Sequence, residues 1–335
     1  MTTTIERIAE LKQPATFESV LRQIPDAIKF AKLEAETSNM ATTPEGKFTI
    51  SYLLAAQKVL KPILTDALVG RDLLVATGGP PHNPQRTIDD IGTIISSALA
   101  QDMEELPHLW IWTKEHGRWD PAQPANGFWE NGNRFAVVDP LDMTSAILKG
   151  DRLQTTGLAI YDKTGELKTL GMVSLVDDGF LFMEKYGDTF RIFPPEVTQP
   201  GTTQPAEHNT ESGPLRVAAK TRRMYVLKDL PIMKDGNMWV MDCDSGYAVL
   251  GLTRGTIDTV IDPIKGQPWY EFVIWHRAAQ ELGLPVTDPD GNTIDTAAIV
   301  RKAITDNPGE VLRIPFVMSR TPEIHQRVLP LLQHS

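Results

Sequence analysis

The stretch Arg134 to Asp151, RFAVVDPLDMTSAILKGD, decides the fold. An apolar, β-rich run ends at Asp139, and Pro140 keeps Asp139 extended because a residue before proline is disfavoured in the helical region. Asp142 follows three positions later, where we expect the chain to turn into a helix. The sequence therefore predicts two carboxylates at one strand end, next to a helix N-terminus.

This arrangement suits a hard cation, because Mg²⁺ prefers oxygen ligands. Two such ions about 4 Å apart can clamp the attacking and leaving oxygens of a phosphoryl group. The free amides of Met143, Thr144 and Ser145 at the expected helix N-terminus suit an anion. By itself, however, Asp-Pro-x-Asp is equally typical of a surface turn in which Asp142 caps a helix, since Asp and Pro are common turn residues.

Composition narrows the class of protein. The 335 residues include 33 Lys+Arg and 43 Asp+Glu, a net charge of −10, so we expect no nucleic-acid polymer as partner. The single cysteine, Cys243, excludes an internal disulfide and a cysteine-rich zinc site and favours a reducing compartment. Neither a signal-peptide pattern nor an apolar run near the roughly 20 residues of a membrane span is present. We therefore expect a soluble, cytoplasmic protein without a membrane partner.

Periodicity and turn residues predict the elements. Helices are expected at 5–38, 51–69 with an interruption at Pro62, 90–99, 246–254 and 269–282. Strands are expected at 109–112, 135–138, 158–161, 170–176, 180–184, 215–218 and 239–242, the first five as antiparallel hairpins. Residues 194–214 are rich in Pro, Thr, Gln and Glu, which is typical of a flexible insertion. The predicted domains are an N-terminal α+β lobe with the metal-binding motifs (1–193), the insertion (194–214) and a C-terminal α/β lobe (215–335).

Several motifs in a fixed order carry a resemblance to a known family. In chain order they are Pro84–Asp90, Lys114-Glu115, Asp139–Thr144, Leu148–Asp151, Asp244-Ser245, Gly255 and Asp258. Over roughly residues 50 to 330 the chain resembles the magnesium-dependent phosphomonoesterase superfamily of inositol monophosphatase and fructose-1,6-bisphosphatase. Within it the chain looks most like the 3′(2′),5′-bisphosphate nucleotidase branch. The resemblance implies an α/β (α+β) fold, a layered αβαβα sandwich of two lobes.

The resemblance also implies roles for single residues. The implied metal ligands are Glu115, Asp139, the carbonyl of Leu141, Asp142 and Glu271, for two or three Mg²⁺ ions. Asp90 is implied to hold a further metal or, with the Thr144 hydroxyl, to orient a metal-bound water as the nucleophile. The backbone amides of Met143, Thr144 and Ser145 are implied to bind the phosphate.

The family's last metal-ligand position can be aligned with this sequence in two ways. Matching Trp275-His276-Arg277-Ala278-Ala279 to the family's Trp-Asp-x-Ala-Ala-Gly puts His276 at the Asp position, but needs a deletion of about five residues, which rotates the helix face by roughly 140°. An ungapped match to the downstream turn puts Glu271 there, in the first helical turn after Pro268. We prefer Glu271, whose alternative is a glutamate that only stabilises the helix N-terminus. His276 is more typical of an ordinary mid-helix histidine.

Three positions depart from the family pattern. Met143 replaces the glycine of Asp-Gly-Thr, Lys114 replaces the first glutamate of a Glu-Glu pair, and Glu271 is one methylene longer than the usual Asp. A side chain at position 143 stands where a phosphate would approach the backbone. The family's metal ligands are therefore better preserved in this sequence than its phosphate-binding loop.

We expect a Mg²⁺-dependent phosphomonoesterase that hydrolyses a small phosphorylated metabolite by metal-activated water, with a 3′(2′)-phosphorylated nucleotide as one candidate. The alternative is a descendant of the family that lost phosphatase activity and became a binding or regulatory protein or an enzyme for different chemistry. A homodimer is one option for its assembly.

Overall fold

The computed structural model describes residues 16–65, 73, 76–78, 85–103, 106, 109–113, 117–118, 134–142, 153–177, 179–193, 214–219, 227–234, 238–242, 245–305 and 312–332. Four of the predicted site residues, Glu115, Met143, Thr144 and Ser145, lie outside these ranges. The predicted helical residues 5–15 and nearly all of the predicted insertion also lie outside. The domain boundaries therefore stay predictions.

The described helices lie on the outer faces of two large sheets and in the layer between them. They are α1 (Phe17–Leu21), α2 (Ile24–Thr37), α3 (Pro44–Thr65), α4 (Thr87–Asp102), α5 (Pro231–Lys234), α6 (Ser245–Thr253), α7 (Trp269–Glu271), a π-helical turn (Phe272–His276), α8 (Arg277–Glu281), α9 (Thr296–Thr305), α10 (Pro322–Val328) and a 3-10 turn (Leu329–Leu332). No helix in the described part of the chain is long and apolar enough to cross a membrane.

The described strands form two large sheets and one short pair. They are β1 (Ala76–Gly78), β2 (Gln85–Arg86), β3 (Leu109–Thr113), β4 (Gly117–Arg118), β5 (Arg134–Asp142), β6 (Thr155–Tyr161), β7 (Leu167–Ser174), β8 (Phe180–Tyr186), β9 (Thr189–Phe193), β10 (Leu215–Ala219), β11 (Met238–Asp242), β12 (Thr259–Pro268), β13 (Val286–Thr287) and β14 (Arg313–Ser319). Sheet 1 has the order β4-β3-β5-β6-β7-β8-β9, sheet 2 has the order β11-β10-β12-β14-β13, and β1 pairs with β2.

Three apolar clusters stack these elements into layers. The first packs α1 to α4 on one face of sheet 1. The second fills the space between the two sheets with residues of α6, the π-helical turn, α8 and α9. The third packs α5 and α10 on the far face of sheet 2. The order helix, sheet, helix, sheet, helix confirms the predicted αβαβα sandwich.

Two predictions about single elements are wrong. α3 runs through Pro62 without the predicted interruption. The packing of α3 on β7 outweighs the local penalty of an interior proline. β3 pairs with β5 in parallel, not as a hairpin, with Thr113 beside Val138. The pairs β5-β6, β6-β7 and β7-β8 are antiparallel, as predicted. β9, which pairs antiparallel with β8, was not predicted.

The start of α3 is fixed by a residue of sheet 1. Glu184 in β8 is buried and accepts hydrogen bonds from the backbone amides of Thr42 (2.9 Å) and Thr43 (2.7 Å) and from both hydroxyls. These amides precede the first turn of α3, where free N–H groups need acceptors. Gly46 permits this approach, because an added Cβ would lie 2.2 Å from Glu184 Oε1. The long helix is thereby anchored to sheet 1.

Candidate active site

A β-bulge near the end of β5 determines where the two predicted carboxylates point. Asp139 is opposite Gly157 and Asp142 is opposite Thr155, so two residues of β5 face one residue of β6 between them. Side chains three positions apart in a regular strand point to opposite faces. The extra residue reverses that alternation and brings Asp139 and Asp142 to the same face. Pro140 suits this bulge because it has no N–H to donate to the ladder.

Both carboxylates face the helix layer between the sheets. Asp139 follows the alternation of Val137, which belongs to the core between the sheets, whereas Ala136 and Val138 face α3 and α4. Asp139 and Asp142 are fully buried. Leu141 is also buried, but its side chain packs into the opposite core. The predicted acid pair therefore lies on one side of sheet 1 at the carboxyl end of β5.

Two buried hydroxyls hold the backbone of the bulge. The hydroxyl of Thr156 donates to the carbonyl of Asp139 at 3.2 Å. Because its proton is used there, it accepts from the hydroxyl of Tyr52 on α3, at 2.8 Å. Asp139 is thus tied through β6 to the long helix on the other face of the sheet.

Asp142 is held by a helix from the second half of the chain. Its Oδ2 accepts a hydrogen bond of 3.0 Å from the backbone N–H of Gly246, in the first turn of α6. The N-terminal amides and the positive end of the helix dipole favour a carboxylate there. The sequence predicts a cap by Asp142 only as a local turn, but the helix that it caps begins about a hundred residues later.

Asp90 belongs to a helix that packs on the face of sheet 1 opposite the acid pair. It lies on α4, which contacts β5. The contact is close at Gly92, where an added Cβ would lie 2.5 Å from Cβ of Pro140. Asp90 is partly buried. Glycine at position 92 therefore allows the helix that carries Asp90 to sit directly on the proline of the bulge.

Parallel pairing brings the ends of β3 and β5 to the same edge of sheet 1. Thr113, the last described residue before Lys114-Glu115, lies beside Val138, which precedes Asp139. The ring of Trp112 packs against Trp269 (centroids 4.8 Å apart) and Tyr270 (4.6 Å), which places the start of α7 against the end of β3. Glu115 itself lies outside the described residues, so its role stays a prediction.

The two alignments of the last ligand correspond to different environments. Glu271 is 2% exposed and lies on α7, which contacts β5. His276 is fully buried, with its ring stacked on Phe272 (4.3 Å) and edge-on to Phe316 of sheet 2 (3.9 Å). The segments of both residues contact β5, and the structure places the ring of His276 within aromatic core packing. Ligation by either residue stays a prediction.

The described residues alone do not complete a metal centre. Within the described ranges, no three histidine, cysteine or carboxylate residues form a group that could hold a metal ion. The carboxylates of Asp139 and Asp142 fit part of a Mg²⁺ site, because both are oxygen donors buried on one face. The predicted phosphate-binding amides of residues 143 to 145 lie outside the described residues.

Comparison with solved structures identifies this arrangement of sheets. The Thermotoga maritima IMPase is 15% identical and matches with a TM-score of 0.59 over 86% of this chain and 94% of that chain. The native extragenic suppressor protein suhB from Bartonella henselae is 13% identical, with a TM-score of 0.59 over 85% and 98%. The chain has the inositol monophosphatase (IMPase) fold. An IMPase/NADP phosphatase complexed with Mg²⁺ and phosphate is similar too, at 15% identity and a TM-score of 0.54 over 84% and 97%.

This similarity shows the fold that the resemblance implies. At these identities the similarity does not distinguish the bisphosphate nucleotidase branch. No protein-family model and no curated protein matches the sequence.

The last motif of the resemblance comprises Gly255, which lies in a turn, and Asp258, which forms ion pairs with two arginines. Gly255 has a φ of +69°, as a tight turn requires. Buried Asp258 is bonded to the guanidinium of Arg216 (2.8 Å) and lies 3.3 Å from that of Arg320. Burial alone would raise the pKa of Asp258, but the hydrogen bonds from Arg216 and the two positive charges outweigh it and lower that pKa. The described contacts of Asp258 are structural.

Gly157 and Gly246 are residues near the acid pair that sequence reasoning missed as parts of the site. Gly157 lies opposite Asp139 and Gly246 bonds Asp142. One signal was available, since a glycine inside a β-rich run such as TTGLAIY often marks the close approach of another group. Nothing local in the sequence shows which group approaches.

Proposed function

We propose that the protein is a Mg²⁺-dependent phosphomonoesterase acting on a small phosphorylated metabolite. The observation that carries this proposal is the bulge in β5, which turns two buried carboxylates, Asp139 and Asp142, to the same face at a strand end. The IMPase fold supports it, because a similar structure is described as a phosphatase complexed with Mg²⁺ and phosphate. A 3′(2′)-phosphorylated nucleotide is the candidate substrate from the sequence resemblance. A homodimer is a further proposal, which rests on the sequence alone.

In this proposal Asp139 and Asp142 hold the cation, with Glu115, Glu271 and the carbonyl of Leu141 as further ligands. When bound, Mg²⁺ would neutralise phosphate charge and lower the pKa of a water molecule. Asp90 and Thr144 orient the attacking water, and the amides of residues 143 to 145 bind phosphate oxygens. The N-terminus of α6 orients Asp142, because the amide of Gly246 donates to one oxygen of the carboxylate.

Phosphate release from a panel of phosphomonoesters, with and without Mg²⁺, tests the proposal. The panel includes inositol monophosphates, sugar phosphates and 3′-phosphorylated nucleotides, and calorimetry measures Mg²⁺ binding. We expect phosphate release that requires Mg²⁺. No release from any substrate, together with no Mg²⁺ binding, would show that the proposed activity is wrong.

Asp142→Asn tests the assignment of the site. The amide oxygen of asparagine still accepts from Gly246 N–H, so we expect the fold and the α6 contact to persist. The lost negative charge removes a cation ligand, and we expect hydrolysis to fall by at least about a hundredfold. Asp188→Asn, in the exposed β8-β9 turn, is the matched control. Undiminished activity of Asp142→Asn would remove the site assignment.

A second candidate function follows from Met143. If the methionine side chain occupies the space where the family binds phosphate, the protein does not hydrolyse a phosphomonoester. It then binds a ligand at the site of the acid pair, or catalyses a different reaction there. Mg²⁺ binding without phosphate release from any member of the panel would favour this candidate.

A further inference from the structure

The indole of Trp275 lies against Gly157 and Gly246, the two glycines next to the acid pair. The ring is fully buried. A Cβ added to Gly157 would lie 2.2 Å from its Cη2 atom, and a Cβ added to Gly246 would lie 3.2 Å from the same atom. The two glycines come from β6 and α6, so the edge of one ring is wedged between a strand and a helix. A β-carbon at Gly157 does not fit without moving the ring, and one at Gly246 would be in tight contact with it.

Each glycine is directly linked to one of the carboxylates. Gly157 is the register partner of Asp139, and Gly246 donates its N–H to Asp142. The neighbouring strand position, Thr155, is opposite Asp142, and its Oγ1 would lie 2.1 Å from a Cβ on Gly246. The separation between β6 and the first turn of α6 therefore determines where the donor to Asp142 lies.

The π-helical turn brings Trp275 to this place. An extra residue per turn shifts the side chains that follow it around the helix axis. The buried hydroxyl of Tyr161 donates to the carbonyl of Val273 inside this turn, which fixes the turn against β6. Phe272 and His276, four residues apart, stack on one another on the side of sheet 2. Trp275 is thereby directed to sheet 1, away from that stack.

We propose that Trp275, seated between Gly157 and Gly246, is a positioning residue that sets the orientation of Asp142 for cation binding. The ring sets the distance between β6 and α6, and this distance sets the position of the Gly246 amide. The amide in turn orients one oxygen of Asp142. The cation-binding part of this inference rests on the proposed function. The contact itself is independent of it.

Trp275→Phe is the first test. Phenylalanine keeps an apolar ring in the core but does not reach the two glycines, so α6 can shift relative to β6. We expect Mg²⁺ affinity, measured by calorimetry, to fall about 10- to 100-fold, the usual effect of removing an outer partner of a ligand. We also expect hydrogen exchange of the Gly246 amide to become at least about tenfold faster. Phe182→Leu, a buried aromatic truncation in β8, controls for general destabilisation.

Gly157→Ala tests the same contact from the other side. Its methyl group collides with the indole in the native background, so this single variant is expected to weaken Mg²⁺ binding as well. In the Trp275→Phe background the methyl fills part of the vacated space. The double variant should therefore bind Mg²⁺ more tightly than either single variant, a result that a merely additive loss of stability would not give. If Trp275→Phe does not fold, Gly157→Ala alone provides both readouts.

The proposal requires both effects in the Trp275→Phe variant. Unchanged Mg²⁺ affinity, unchanged Gly246 exchange, or equal losses in Phe182→Leu would each overturn it. If the native protein binds no Mg²⁺, the proposed function is wrong. Gly246 exchange in the variants then still decides whether Trp275 holds Asp142 in place, and an unchanged rate would overturn that contact too.

Discussion

Position 143 carries methionine directly after Asp142, where the resembled family has glycine. Glycine lets a phosphate approach the backbone closely because it has no side chain. A methionine at a position that needs a positive φ is disfavoured by about 1–2 kcal/mol, which a folded domain can absorb. Obstruction of the anion is therefore the larger expected effect of Met143, and it concerns activity more than stability.

Met143→Gly is expected to increase the rate of phosphate release. The substitution removes the side chain from the predicted anion loop and leaves the carboxylates unchanged, so kcat or KM for the phosphomonoester should improve while Mg²⁺ affinity stays the same. Steady-state phosphate release, with calorimetry for Mg²⁺, measures both. Met103→Gly, well before the motif, is a control for the loss of a methionine side chain. An unchanged rate would show that Met143 does not obstruct substrate.

At the scale of elements, the site depends on the way in which α4 and α6 meet the ends of β5 and β6. α4 reaches the bulge through Gly92 and α6 reaches it through Gly246, on opposite faces of sheet 1. Each contact brings a helix close to the acid-bearing strand because a β-carbon is absent. A methyl group at either position therefore tests the docking of one whole helix.

Gly92→Ala is expected to push α4 away from Pro140, because the added Cβ would lie 2.5 Å from the proline Cβ. Overpacking of this kind typically lowers the free energy of unfolding by about 1–3 kcal/mol. A displacement of about 1 Å at Asp90 is expected to reduce hydrolysis by about a hundredfold. Urea unfolding and phosphate release measure the two effects. Ser97→Ala, on the same helix, is the control, and full activity of Gly92→Ala would contradict a role for the position of Asp90.

At the scale of the whole molecule, the outer layer on sheet 2 contains a buried histidine. His325 on α10 is 5% exposed, with Nε2 2.9 Å from the hydroxyl of Thr287 and Nδ1 3.1 Å from the hydroxyl of Ser319. Burial lowers the pKa of His325 below its ordinary value of 6.5. The folded protein therefore holds the ring neutral at a pH where the unfolded chain already takes up a proton.

This difference predicts that the protein loses stability as the pH falls below about 6.5, because the unfolded state then binds more protons than the folded state. Above that pH the contribution of His325 is fully present. Urea unfolding at pH 7.5 and 5.5 measures the loss, and both values lie above the carboxylate range. His325→Gln, which cannot titrate, should show a smaller loss between the two pH values. An equal loss in the variant would show that other groups cause it.

Local patterns predicted the helices and strands near the site, but not β9, β12, β14, α9 or α10. The strands near the site, the antiparallel hairpins and the helix at α6 follow from alternation, apolar periodicity and turn residues, which act between neighbours in sequence. The predictions failed where a tertiary contact outweighs a local preference. α3 continues past Pro62, and β3 runs parallel to β5.

The sequence by itself determined that two carboxylates stand at the end of an apolar strand, because strand alternation and the restriction before proline act between neighbouring residues. The layered αβαβα fold was implied by the family resemblance that the ordered motifs carry. Only the tertiary structure decided that a bulge turns Asp139 and Asp142 to one face, that Gly246 binds Asp142, and that Trp275 lies between two glycines. The bulge depends on the pairing of β5 with β6, and the other two contacts join segments about a hundred residues apart. Their contact is determined by how the layers pack, and no local pattern encodes that packing.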